Sequence, residues 1–227
     1  MNAVNVAFSA GKNTVKLYFM LGLPTETYDD VAGIAELAQK VVNEFYKNPD
    51  KPKGKGVQVS ISVASFVPKP FTPFQWSEQN SHEEQTQKRI YLEKKLKQIK
   101  AVQYKYHESK VCFIEAALAR GDRRLSSVLL NAFKRGCKLD GWNEHFNYAG
   151  WCRAFEECGL SMEFYAHRSR NINEILPWDT VSCGVNKAYL INEYKRSLDA
   201  VTTKDCRQGC TGCGMNKLVG GVCPCEQ

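Results

Sequence analysis

The part of the chain richest in chemically active residues is its end. There Cys206-Arg-Gln-Gly-Cys210-Thr-Gly-Cys213-Gly is followed by Cys223-Pro-Cys225. Three thiols within eight residues, with glycines between them, let a tight loop turn its sulfurs toward one ion, and the CPC pair offers a fourth thiolate. Five of the ten cysteines fall in the last 22 residues, and metal ligation explains such clustering better than disulfides do. The C-x3-C-x2-C spacing also serves iron-sulfur clusters with one iron open to a cofactor. Zinc and an iron-sulfur cluster are therefore both open for Cys206, Cys210, Cys213, Cys223 and Cys225. The remaining thiols, Cys112, Cys137, Cys152, Cys158 and Cys183, are dispersed and read as small buried hydrophobes. His82, His107, His145 and His167 show no ligand spacing and read as surface or hydrogen-bonded residues.

A second constellation is Arg120-Gly-Asp122-Arg123-Arg124. Its structural role is a helix break followed by a cap. Three arginines and an aspartate at a helix N-terminus, near Asp140 and Trp142, are also a set able to grip an anionic substrate, with a structural ion-pair network as the alternative.

Lys+Arg 31 against Asp+Glu 24 gives a net charge of +7, and much of the excess is local. Lys47, Lys51, Lys53 and Lys55 lie in the Pro/Gly loop KNPDKPKGKG, and the lysines of residues 88–100 fall on the polar face of a helix, where solvation accounts for them. An RNA or phosphate partner is the competing reading. No apolar run reaches the roughly 20 residues of a membrane span, and the first residues lack a basic and apolar leader, so the expected location is the cytoplasm.

These residues must be positioned by an α/β segment and then by helices. Residues 15–21 (VKLYFML) form a continuous apolar run stopped by Gly22-Leu23-Pro24, the pattern of a strand buried on both faces. Thr27 and Asp30 have capping-box spacing, and Val31, Ile34, Ala35, Ala38, Val41, Val42 and Phe45 recur at helical intervals. Residues 57–67 (VQVSISVASFV) alternate with period two and end at the prolines of PKPFTPFQW. The order βαβ implies a parallel pair. Two parallel strands need companions, and nothing before Val15 supplies them. Residues 1–80 are thus expected to be the end of a larger α/β sheet or barrel, completed upstream or by a partner chain.

From Ser81 onward the pattern predicts helices. One spans residues 83–100 and buries Ile90, Leu92, Leu96 and Ile99; a second runs through Val111, Ile114 and Leu118 to Arg120-Gly121. A third, capped by Asp122, carries the stripe Leu125, Val128, Leu129, Ala132 and Phe133, and a fourth spans residues 143–158. Residues 162–167 are expected as a short strand and 186–200 as the helix leading into the tail. The expected division is 1–80 for the α/β segment, 81–200 for a mainly helical domain and 201–227 for the Cys-rich tail.

KLYFMLGLPTET with its helix, SFVPKPFTPFQW, ALARGDRRL, LDGW, LPWD and DCRQGCTGCG together resemble the C-terminal portion of the cobalamin-binding-domain radical S-adenosylmethionine proteins. The resemblance covers essentially the whole chain. It implies that the two strands are the last two of a six-stranded partial TIM-like barrel. It also implies that Gly22, Leu23, Pro24 and Glu26 border the adenosine of S-adenosylmethionine, and that the backbone around Phe66, Val67 and Pro68 lies along the adenine. In that family a 4Fe-4S cluster on an early barrel loop cleaves S-adenosylmethionine reductively to a 5′-deoxyadenosyl radical. That loop has no counterpart here, and only 14 residues follow Cys213, so the tail is expected to hold zinc or an auxiliary cluster. Cobalamin enters only through the family's N-terminal domain, and the substrate is open. The reading from another class is a metal-binding adaptor or RNA-binding module without catalysis.

Overall fold

The computed structural model of the protein describes residues 1–106, 109–218 and 220. The chain forms two compact units. The first comprises Met1–Phe66 and Asn80–Ser109; the second comprises Val67–Gln79 and the residues from Lys110 onward. The first is an α/β unit with an open, three-stranded parallel sheet, and the second is mainly helical.

In the first unit the order is α1 (Asn2–Ser9), β1 (Thr14–Leu21), α2 (Tyr28–Lys47), β2 (Gln58–Ser65), α3 (His82–Leu96) and β3 (Val102–Tyr106). The sheet runs β1-β2-β3, with Thr14 opposite Gln58 and Val59 opposite Val102. The capping box predicted at Thr27 and Asp30 is present and starts α2, and all seven predicted apolar positions of that helix are buried. A second box, Ser81 with Glu84, starts α3.

One face of the sheet, with Leu17, Phe19, Val59, Ile61, Val63 and Tyr104, packs against α2 and α3. Phe8 of α1 adds to the same layer by meeting the ring of Phe45 edge-on at 5.0 Å. Each fully buried aliphatic or Phe side chain there contributes about 1.5–3 kcal/mol. The opposite face carries Lys16, Tyr18, Met20, Ser60, Ser62 and Ala64 and lies outside this core. Among the described residues, no helix of the first unit covers it.

Two expectations change here. Residues 102–106 form a third parallel strand that short, lysine-bearing VQYKY did not announce. The helix read over residues 83–100 ends at Leu96 and turns Ile90 outward, at 40% exposure. With α3 and β3 added to the same sheet, the compact units divide so that Val67–Gln79 goes with the helical unit and Asn80–Ser109 with the sheet.

The second unit holds α4 (Ser109–Ala119), α5 (Leu125–Lys134), α6 (Tyr148–Glu157), α7 (Met162–Ala166), α8 (Lys187–Leu198) and α9 (Met215–Leu218), with 3-10 turns at Pro73–Trp76 and Cys206–Gln208. One core gathers Ile114, Val128, Trp151, Phe155 and Tyr165; another gathers Trp76, Leu176, Trp178 and Leu190. Leu125, Val128 and Ala132 of the predicted stripe are buried, while Leu129 and Phe133 face solvent at 48% and 58% exposure. The short strand expected over residues 162–167 is instead the helix Met162–Ala166, because Ser161 caps the Phe164 amide and Met162, Tyr165 and Ala166 bury with helical spacing.

Candidate functional site

The carboxyl ends of the three strands converge on a connected set of polar groups, and in open α/β sheets this is the side on which ligands bind. β1 passes directly into Gly22-Leu23-Pro24-Thr25-Glu26. The Gly22 amide donates to Glu26 Oε2 at 2.9 Å, and Lys88 Nζ of α3 reaches the same oxygen at 2.8 Å. Gly22 has φ +86°, and a Cβ there would stand 2.6 Å from Asn80 Oδ1, so the position requires glycine twice over. Thr25 also sits in the left-handed region, at φ +66°, which a threonine adopts only under constraint.

Beside this turn Gln85 Nε2 donates to the Asn80 carbonyl at 3.0 Å, and Ser65 Oγ donates to Gln85 Oε1 at 2.8 Å. The Ser65 hydroxyl proton is thereby spent, so the 2.7 Å contact with Tyr106 is donated by the tyrosine. Asn80 Oδ1 is buried with no hydrogen-bond partner. A ligand hydroxyl or amino group is what such an oxygen lacks. The turn also borders a groove of about 560 Å³ along β1, lined by Tyr18, Phe19, Met20, Leu23, Pro24 and Glu26.

Gly22, Leu23, Pro24 and Glu26 thus stand together at the carboxyl edge, and Phe66 joins them by donating its amide to the Leu21 carbonyl at 2.8 Å. Val67 and Pro68 belong to the second unit, where Val67 packs on the core around Ile114 and Trp151. Lys88 was read as a solvated charge; it is buried and paired, with its side chain 11% exposed. Its signal was available, since Gln85, Lys88, Leu92 and Leu96 repeat at three and four residues and form the buried side of α3.

The arginine constellation separates into different roles. Arg120 is fully buried and donates to the Ala166 carbonyl at 2.6 Å and the Arg168 carbonyl at 2.7 Å, while Arg170 donates to the Arg120 carbonyl at 2.6 Å. Burial, with Arg170 and Arg168 close by, pulls Arg120 down to about 10, still a cation at neutral pH. It ties the end of α4 to the 166–170 segment through these carbonyls. Asp122 is held by Arg124 through its backbone amide and guanidinium at 2.7–3.1 Å, which keeps its carboxyl below the usual range. Arg123 is exposed and forms no ion pair among the described residues. It lines a cleft of about 800 Å³ with Asp122, Phe71, Leu176 and Trp178. Asp140 and Trp142 are not in its lining.

In the tail, Cys206 and Cys210 are exposed and Cys213 is half-buried, all as free thiols; Cys223 and Cys225 lie outside the described residues. Among the described residues no three His, Cys, Asp or Glu side chains converge as ligands would. Within the Cys210-Thr-Gly-Cys213 turn the Gly212 amide, at φ +72°, donates to Cys210 Sγ at 3.5 Å. The Cys213 carbonyl accepts from the Asn186 amide at 2.8 Å, fixing this turn to the start of α8. Cys112 and Cys137 are buried as expected, and burial pushes the Cys137 thiol up.

No family model matches the chain, and no solved structure matches it. It is similar to an uncharacterized protein of Methanocaldococcus jannaschii, with 35% identity over 160 residues, which are 66% of this chain and 32% of that protein. The chain thus spans about a third of the length of the curated relative it matches. No helix among the described residues is long and apolar enough to cross a membrane.

Proposed function

We propose that this chain forms the C-terminal part of a radical S-adenosylmethionine enzyme, supplying one wall of a partial (β/α) barrel and the residues that flank the cofactor's adenosine. The observation that carries the reading is the one-sided sheet: parallel strands with every helix of their unit on one face and serines, alanine and lysine on the other. A doubly wound sheet needs helices on both faces, whereas a barrel wall has them outside only. With β3 counted, the barrel reading now takes in three strands and not two. The edge of β1, where Tyr18 is 73% exposed, is where a preceding strand would pair.

Bound at the carboxyl edge, S-adenosylmethionine and a 4Fe-4S cluster would supply a 5′-deoxyadenosyl radical that abstracts hydrogen from a substrate. The residues of this chain do the holding. Asn80 Oδ1 offers an acceptor to an adenosine hydroxyl or amino group, the Gly22 turn keeps the approach free of a Cβ, and Lys88 pins Glu26. Cobalamin would belong to the upstream part, in keeping with a relative three times the length of the matched region. In the tail, Cys206, Cys210 and Cys213, with Cys223 or Cys225, would hold zinc or an auxiliary iron-sulfur cluster. Arg123 and Asp122 remain as substrate contacts, since Arg120 is spent on carbonyls and Arg124 on Asp122.

Equilibrium dialysis of the purified chain against labelled S-adenosylmethionine tests this reading. Saturable binding that Gly22→Val abolishes supports it. Absence of binding, together with salt-sensitive binding of RNA, would replace it with the adaptor reading.

A further inference from the structure

The cleft of about 800 Å³ in the second unit is in the size range of a small-molecule site and combines apolar walls with a single uncompensated charge. Its walls are fixed. Gln75 Oε1, on a residue only 2% exposed, accepts from Trp178 Nε1 at 2.7 Å and from the Phe71 amide at 3.1 Å, so one buried oxygen holds both aromatic residues. Phe71 is kept at φ +60°, a conformation that a phenylalanine holds only when its surroundings impose it. Behind Trp178, the Arg170 guanidinium stands 5.3 Å from the ring centroid.

Between these walls and the solvent lie Ile175 and Val181, 86% and 60% exposed, an apolar surface left uncovered at the cleft. The polar end is asymmetric. Asp122 is neutralised by Arg124, while Arg123 has no acidic partner among the described residues. Buried Arg120 and Arg170 add positive potential nearby, which Glu174 offsets only in part.

We propose that this cleft binds a small planar aromatic anion, with the ring on the surface made by Phe71, Trp178, Ile175 and Val181 and the acid group on Arg123. The inference rests on the reading of Arg123 as a substrate contact. It does not depend on the adenosine edge, which lies in the first unit.

The test is a calorimetric titration of the full chain with 2-naphthoate and with its neutral counterpart 2-naphthamide. The expected result is one saturable site for naphthoate, with naphthamide at least about tenfold weaker, the scale of one charge-assisted hydrogen bond. Arg123→Glu and Ile175→Asp change exposed side chains and should each weaken naphthoate by about tenfold while leaving the melting temperature unchanged. Both variants should also keep S-adenosylmethionine binding, so failure of either site is read separately. No saturable naphthoate binding, equal affinity for naphthamide, or indifference to Arg123→Glu would each overturn the proposal.

Discussion

Lys88 and Glu26 are 62 residues apart in sequence and meet in a 2.8 Å ion pair whose side chains are 11% and 6% exposed. The pair joins α3 to the turn after β1. Desolvating both charges is costly, and the cost is offset only because Glu26 Oε2 also receives the Gly22 amide and Lys88 also reaches the Glu26 carbonyl at 3.4 Å. The pair therefore serves to fix the Gly22–Glu26 turn in place. Lys88→Met should destabilise the protein by about 3 kcal/mol, because it leaves Glu26 buried and unpaired. Adding Glu26→Gln should recover most of the loss in urea unfolding; no recovery would mean that Lys88 acts through something other than the pair.

At Gly22 two penalties coincide, and Gly11 separates them. Both have positive φ, +86° and +82°, but a Cβ at Gly11 meets nothing within 4 Å. Gly11→Ala should cost about 1 kcal/mol from backbone strain alone, and Gly22→Ala clearly more, since Asn80 must also move. Equal costs by denaturant titration would show that Asn80 yields freely and does not shape the turn.

Neighbouring arginines should behave oppositely. Arg120→Ala strands the Arg168 carbonyl, leaves the Ala166 carbonyl with the Gln79 amide alone and opens a buried volume, with an expected loss of roughly 3 kcal/mol or more. Arg123→Ala should lie within about 0.5 kcal/mol of the parent. Thermal melts of the two variants check the contrast.

The pH dependence has a fixed sign. Glu174, paired by Arg168 at 2.7 and 2.9 Å, and Asp122, held by Arg124, have carboxyls below their ordinary values. The folded state then binds fewer protons than the unfolded one. Their stabilisation is present above the unfolded carboxylate pKa of about 4 and is lost as the pH falls through the lowered folded values. Melting temperature should fall steeply below about pH 4 and less steeply in Glu174→Gln; parallel profiles would exclude Glu174 from the effect.

For the tail, protein purified without oxygen should carry zinc or iron, and Cys206→Ala, Cys210→Ala and Cys213→Ala should each lower its content. Iron with sulfide and a broad absorption near roughly 400 nm identifies a cluster, and colourless stoichiometric zinc a structural clasp. Metal content unchanged in all three variants would remove these cysteines from the ligand set.

The α/β beginning was legible because its signals are local. Thr27 and Asp30 form a capping box within one turn, and VQVSISVASFV alternates with the pleat it adopts. β3 escaped because five residues with Gln103 and Lys105 outward show little hydrophobicity until Ile61 and Val63 are known to lie alongside. The site was half legible. Gly22 and Glu26 share a turn, whereas Lys88 and Gln85 arrive from α3, and Asn80 from the segment just before it, more than 50 residues away. The arginine run illustrates the reverse: four charged residues within five positions suggested one grip, but the connection between α4 and α5 buries Arg120 and leaves Arg123 exposed.

The most direct test of the account is hydrogen exchange of the full chain read by mass spectrometry with and without S-adenosylmethionine. The account predicts slowed exchange confined to the Gly22–Glu26 turn, Phe66 and the start of α3. Protection absent there, or confined to the second unit, would contradict the assignment of the sheet's carboxyl edge as the adenosine side.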